Sequence, residues 1–175
     1  MLQLREKHLP TPEFIKLAVS IKIIADKYSI PLLINDNIDV AQAIDADGLH
    51  IGQDDIPPEY ARSVIGTGKI LGVSVQTVEQ ALAAEKAGAD YLGVGAIFST
   101  GSKPDADHVS LATLRDICTS SKIPVVAIGG LDERTIPLLQ GSGIHGVAVI
   151  SAIFSKVDIQ GAAQNLLKLT DAILD

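Results

Sequence analysis

The chain has 175 residues, is 47% hydrophobic and 20% charged, and contains one Cys and no Trp. That length suits one domain with its own core, and a single Cys excludes a disulfide framework or a cysteine-based zinc site. Acidic residues outnumber basic ones 21 to 14, giving a net charge of −7, and aromatics are only 3%; both argue against a nucleic-acid partner. Mean hydropathy is +0.31, yet no stretch approaches the roughly 18 apolar residues of a membrane span. The charged start MLQLREKHLP does not read as an export signal. The expectation is a cytoplasmic protein with neither nucleic-acid nor membrane partners.

Short β-like runs alternate with helix-period segments. The predicted strands are LQL (2–4), IPLLI (30–34), DGLHI (47–51), KILGVSV (69–75), DYLGVG (90–95), IPVVAI (123–128) and HGVAVI (145–150). Thr11-Pro12 reads as an N-cap followed by proline at the first helical position, with Phe14, Leu17, Ala18, Ile21 and Ala25 on one helical face. Thr77 and Gln80 form a capping-box pattern, and Gly88 is the stop. Asp132 caps a further helix that Gly141 ends, and Ile159, Ala163, Leu166, Leu167, Thr170 and Ile173 share a last helical face. Three strand starts look alike: ADGLHIG, ADYLGVG and GIHGVAV. No linker interrupts the series, so residues 1–175 read as a single domain. Strands alternating with helices imply right-handed βαβ units and a parallel sheet. An open doubly wound sheet is the other reading, although no GxGxxG follows the first strand. The expected class is α/β, a TIM-type (β/α) barrel of seven units, with its chemistry at the carboxyl ends of the strands.

The residues beyond each strand are therefore the candidates. Arg5 and Lys7 follow the first strand, and alternation puts them on one side; a solvated terminus is the other reading. Asn35-Asp36 follows the second strand and Asp54-Asp55 the third. As separate pairs they read as turns or caps, but if the strands are neighbours, Asp36 and Asp55 suit Mg²⁺ held jointly with substrate phosphates. His50 lies late in its strand and stays outside the catalytic set, as a lone strand His is more often packed or hydrogen-bonded. Ser74 ends the fourth strand. Ser99-Thr100-Gly101-Ser102-Lys103 supplies hydroxyls, a glycine and an ammonium to an anion. Gly129-Gly130 and Ser151 follow the last two strands, where barrels often bind phosphate. Cys118 and His145 read as structural, and Asp47 and Asp90 fall at the opposite strand ends.

Taken in order, QLREK, LLIND, ADGLHIGQDD, GVSVQTVEQA, YLGVGAIFSTGSK, IPVVAIGGL and GVAVIS resemble the thiamine-phosphate synthase family. The resemblance implies a (β/α)-barrel transferase that joins a hydroxymethylpyrimidine diphosphate to a thiazole phosphate with Mg²⁺. It implies that Gln3, Leu4, Arg5, Glu6, Lys7 and Asn35 hold the pyrimidine diphosphate and that Asp36 and Asp55 bind Mg²⁺. Ser74 and Lys103 would reach the diphosphate, with Arg5, Lys7, Ser74 and Lys103 as the catalytic set. Thr100, Gly101, Ser102, Gly130, Ile150 and Ser151 would serve the thiazole phosphate. The implied mechanism is dissociative: diphosphate leaves, and the thiazole nitrogen attacks a pyrimidine-methyl cation. The loop reads Thr-Gly-Ser-Lys where the family commonly has Thr-x-Thr-Lys, and Ser102 keeps the hydroxyl. The family's barrel also has a strand and helix ahead of QLREK, so the expected domain is N-terminally incomplete, with seven of eight units. Such a barrel leaves unpaired edges, which a second chain could cover as a homo-oligomer. The alternatives are the related thiazole tautomerase and a non-catalytic phosphate-ligand barrel.

Overall fold

The computed structural model describes residues 1–99 and 108–174. Strands and helices alternate as β1 (Leu2–Leu4), α1 (Thr11–Lys27), β2 (Leu32–Asn35), α2 (Ile38–Ala43), β3 (Gly48–Ile51), α3 (Pro58–Ile65), β4 (Ile70–Val75) and α4 (Val78–Lys86). They continue as β5 (Tyr91–Val94), α5 (Leu111–Ser120), β6 (Val125–Ile128), a 3₁₀ turn (Ile136–Leu139), β7 (Gly146–Ala148), α6 (Ser151–Phe154) and α7 (Ile159–Asp171). All seven expected strands are present, and six begin one or two residues later than the apolar runs do. Pro31 and Pro124 cannot donate to a ladder, so they contribute only carbonyls, to Leu2 N–H and Leu92 N–H.

The chain divides into two compact units, Met1–Ser74 with Lys86–Asp90 and Val75–Glu85 with Tyr91–Asp175. In the first unit β1, β2, β3 and β4 pair in parallel in chain order. Every residue of β2 and β3 is buried, as expected where a parallel sheet is covered on both faces. Phe14, Ala18 and Ala25 of α1 lie in this core with Leu32, Leu33, Leu49 and Leu71. The expected face of α1 is narrower than its apolar content, since Leu17 is exposed. Thr11 is not the cap either: Pro10 holds the N-cap position, without a side-chain bond, and Thr11 is the first helical residue.

In the second unit β5, β6 and β7 pair in parallel over a core that includes Leu92, Val94, Leu114, Ile117, Val125 and Ile136. Thr77 Oγ1 accepts from Gln80 N–H at 3.2 Å, and Gln80 Oε1 accepts from Gln76 N–H at 2.8 Å. This is the expected capping box, with its return bond displaced by one residue. The helix expected between Asp132 and Gly141 shrinks to the 3₁₀ turn. Pro137 has no N–H to donate and its ring opposes the preceding turn of an α-helix. Asp132 Oδ1 instead accepts from Arg134 N–H and Thr135 N–H. On α7 the buried positions are Leu166 and Thr170, followed by Ile173, whereas Ile159 and Leu167 are exposed. Leu167 sits about 100° around the helix from Leu166, which takes it off the narrow buried stripe.

The three similar strand starts share one physical role. Asp47 Oδ2 accepts from Leu32 N–H at 2.9 Å, Asp90 Oδ2 from Leu71 N–H at 2.7 Å, and His145 Nδ1 from Val125 N–H at 3.2 Å. In return each of these residues donates its own N–H to the same neighbour's carbonyl. A two-way clamp at the strand base therefore recurs three times. In the first unit Arg62 braces the second clamp: it binds Asp90 at 2.6 Å and donates to the carbonyls of Gly66, Lys69 and Gly88.

Candidate active site

Parallel register gathers the polar strand residues of the first unit on one face. Leu33 pairs with Gln3 and Gly48, and Asn35 pairs with His50, which pairs with Gly72. In-register residues share a face and the period is two, so Gln3, Asn35, His50 and Ser74 project to the same side. Leu4 belongs to the opposite side. Beyond β1 the chain turns, and the Glu6 carboxylate accepts from His8 N–H at 2.7 Å and Leu9 N–H at 3.3 Å. The His8 amide is the main reason that the Glu6 carboxyl is held below its usual value. Arg5 and Lys7 are exposed.

At the carboxyl end of β2, Asn35 is buried. Asp36 follows in the left-handed region, φ +64°, with its N–H donated to the His50 carbonyl at 2.7 Å. The cap of α2 is Asn37, whose side chain accepts from Val40 N–H at 3.0 Å. Asp36 is thereby released from capping, and its carboxylate pairs with Lys7. Asp55 accepts from Gly52 N–H at 2.7 Å and lies beside Asp36. Burial, followed by the adjoining Asp36, pushes the Asp55 carboxyl above its usual value, while the Gly52 amide and Lys7 oppose the shift.

The two acids are thus brought together with one lysine. Among the described residues no cluster of three or more His, Cys, Asp or Glu forms a metal cage. Two oxygen-donor acids whose mutual repulsion a cation would relieve could hold a divalent cation such as Mg²⁺.

Ser74 ends the same face. His50 Nε2 lies 2.8 Å from its hydroxyl, and Gln53 donates to its carbonyl at 2.6 Å. His50 is packed and hydrogen-bonded, as expected of a strand histidine kept outside the catalytic set, whereas Gln53 carried no sequence signal. The parity that brings His50 to Ser74 follows from strand register, which no single segment reveals.

In the second unit the Gly129-Gly130 turn follows β6. Gly130 has φ +64°, and a Cβ there would lie 2.6 Å from the Ser99 carbonyl oxygen and 2.7 Å from the Phe98 Cβ. The backbone after β5 runs against this turn, with Phe98 N–H donating to the Gly129 carbonyl at 3.1 Å. Thr135 Oγ1 donates to the Gly130 carbonyl at 2.9 Å, which fixes the peptide. Ile150 and Ser151 lie at the start of the four-residue α6, both exposed. Thr100, Gly101, Ser102 and Lys103 lie outside the described residues. Cys118 is half-buried, and burial raises its thiol to about 11. No helix of the described residues is long and apolar enough to cross a membrane.

A family model described as thiamine monophosphate synthase matches residues 1–153. The chain is 51% identical over 166 residues to the thiamine-phosphate synthase of Clostridium tetani, covering 95% of this chain and 79% of that protein. It is 50% identical over 174 residues to thiamine-phosphate synthase 2 of Streptococcus pneumoniae, covering 99% and 83%. The solved thiamine phosphate pyrophosphorylase of Pyrococcus furiosus superposes with a TM-score of 0.90 at 40% identity, over 99% of this chain and 83% of that one. A 3-hexulose-6-phosphate synthase, at TM-score 0.67 and 15% identity over 96% and 98%, shares the α/β TIM-type fold alone. With half its residues in common with the Clostridium tetani and Streptococcus pneumoniae synthases over nearly its whole length, the chain belongs to the thiamine-phosphate synthase family.

Proposed function

We propose that this chain couples 4-amino-2-methyl-5-(diphosphooxymethyl)pyrimidine to a thiazole phosphate, releasing diphosphate and forming thiamine phosphate. The observation that carries the reading is the joining of Lys7, Asp36 and Asp55 at the ends of neighbouring strands, in a chain of this family. Residues 1–175 act here as one domain. Asp36 and Asp55 would hold Mg²⁺, which supplies positive charge against the leaving diphosphate.

In this reading Gln3, Arg5, Lys7 and Asn35 bind the pyrimidine diphosphate, and Ser74 and Lys103 donate to its anionic oxygens. Fixed donors stabilise charge that grows as the C–O bond breaks, each worth roughly 10²–10³ in rate. Thr100, Gly101, Ser102, Gly130, Ile150 and Ser151 receive the thiazole phosphate, and holding the ring nitrogen in line supplies the rest of the rate. The bond breaks before the thiazole attacks, so no nucleophilic side chain is needed.

The test is formation of thiamine phosphate and diphosphate from the two substrates with and without Mg²⁺. Asp36→Asn and Asp55→Asn should each lower kcat/KM by at least about 100-fold and raise the Mg²⁺ concentration for half-maximal rate. A folded wild-type chain without turnover, or Asn variants with unchanged Mg²⁺ dependence, would overturn the reading.

A further inference from the structure

We propose that His50 is a positioning residue for Ser74: it donates Nε2–H to the serine oxygen and so leaves the hydroxyl proton free for an anionic oxygen of bound diphosphate. The identity of that anion rests on the coupling reading above. Three observations support the assignment. His50 is buried within β3 and its Nε2 lies 2.8 Å from Ser74 Oγ. Its register partner on β4 is Gly72, two residues before Ser74, so the ring and the serine hydroxyl project from one face of neighbouring strands. The Ser74 carbonyl is meanwhile held by Gln53 at 2.6 Å, which fixes the backbone that carries the hydroxyl.

The chemistry then turns on one proton. A serine hydroxyl has a single donor and two lone pairs. If Ser74 gave its proton to the imidazole, only lone pairs would face an incoming anion, and the contact would be repulsive. With Nε2–H as donor, Oγ accepts from the ring and its own proton points outward. A donor whose oxygen already accepts a hydrogen bond is also polarised toward giving its proton. The His50 carbonyl binds the Asp36 amide at 2.7 Å, so one residue fixes the backbone of a candidate metal ligand and the hydroxyl of a candidate diphosphate ligand.

Two measurements test this. In ¹⁵N-labelled wild type with Mg²⁺ and inorganic diphosphate, the His50 ring should show the neutral Nε2–H tautomer by two-bond ¹⁵N–¹H correlation; the Nδ1–H tautomer overturns the proposal. In parallel, titration calorimetry with Mg²⁺-diphosphate and steady-state coupling kinetics compare His50→Ala, His50→Gln, Ser74→Ala and the His50→Ala/Ser74→Ala double variant. His50→Ala should weaken diphosphate binding and lower kcat by about 10–100-fold, with KM for the thiazole phosphate unchanged. The double variant should be no worse than Ser74→Ala, and His50→Gln, which places an amide donor near Nε2, should recover most of the loss. Multiplying effects of the two single changes, or no rescue by Gln, overturn the proposal. Diphosphate binding without coupling by wild type fails the coupling reading alone and leaves the His50 test intact; no diphosphate binding at all overturns both.

Discussion

Gly130→Ala isolates the steric demand of the turn after β6. At φ +64° an alanine pays a left-handed backbone cost of about 1–2 kcal/mol. Its Cβ would also stand 2.6 Å from the Ser99 carbonyl oxygen and 2.7 Å from the Phe98 Cβ. Relieving that overlap moves backbone rather than the end of a flexible side chain, which adds about 1–3 kcal/mol. The expected total is about 2–5 kcal/mol. Gly141→Ala is the internal control, since its φ is +68° with nothing within 4 Å of the added Cβ; it should lose only the backbone part, about 1–2 kcal/mol. Urea unfolding at 25 °C, with equal m-values required of both variants, reads the difference. Calorimetry with the thiazole phosphate should show weaker binding for Gly130→Ala and none of that change for Gly141→Ala. Equal destabilisation of the two variants would refute the close approach of residues 98–99 to the Gly130 turn.

Arg62→Ala removes four partners from a side chain that is 16% exposed and should cost about 3–5 kcal/mol in urea unfolding; a loss below about 1 kcal/mol would count the clamp as ornamental. Asp132 is held below its usual carboxyl value, chiefly by the Arg134 amide and then by the Arg134 guanidinium. Its contribution is therefore present above the ordinary value of 3.8 and lost as pH falls through the lower folded value. Asp132→Asn should flatten that acid limb of the stability curve, and an unchanged limb would show that the turn does not titrate. Cys118, raised from 9.0 to about 11 by burial, should react at least about 10-fold more slowly with a disulfide reagent at pH 8 than it does in urea; equal rates would mean that the thiol is not buried.

The seven strands and the parallel α/β class were legible in the sequence because a strand covered on both faces must be apolar throughout, as Leu32–Ile34 and Leu49 with Ile51 are. The candidate acids were legible for a related reason: a carboxylate directly beyond a buried strand has to emerge at its end, as Asp36 does. Where a local rule competed with a neighbour, the sequence misled. Pro137 reduced a capped helix to a 3₁₀ turn, Pro10 displaced Thr11 as the cap of α1, and Leu167 fell outside the stripe buried through Leu166 and Thr170. Other features depend on register between segments distant in the chain. Asn37 takes the cap and frees Asp36 for Lys7 and Asp55, His50 reaches Ser74 on the neighbouring strand, and Asp47, Asp90 and His145 each close a clamp on the preceding strand. A strand's own pattern determines which of its residues share a face, but only the pairing of strands decides which residue of the next one they meet, since a slip of one position would exchange the two faces.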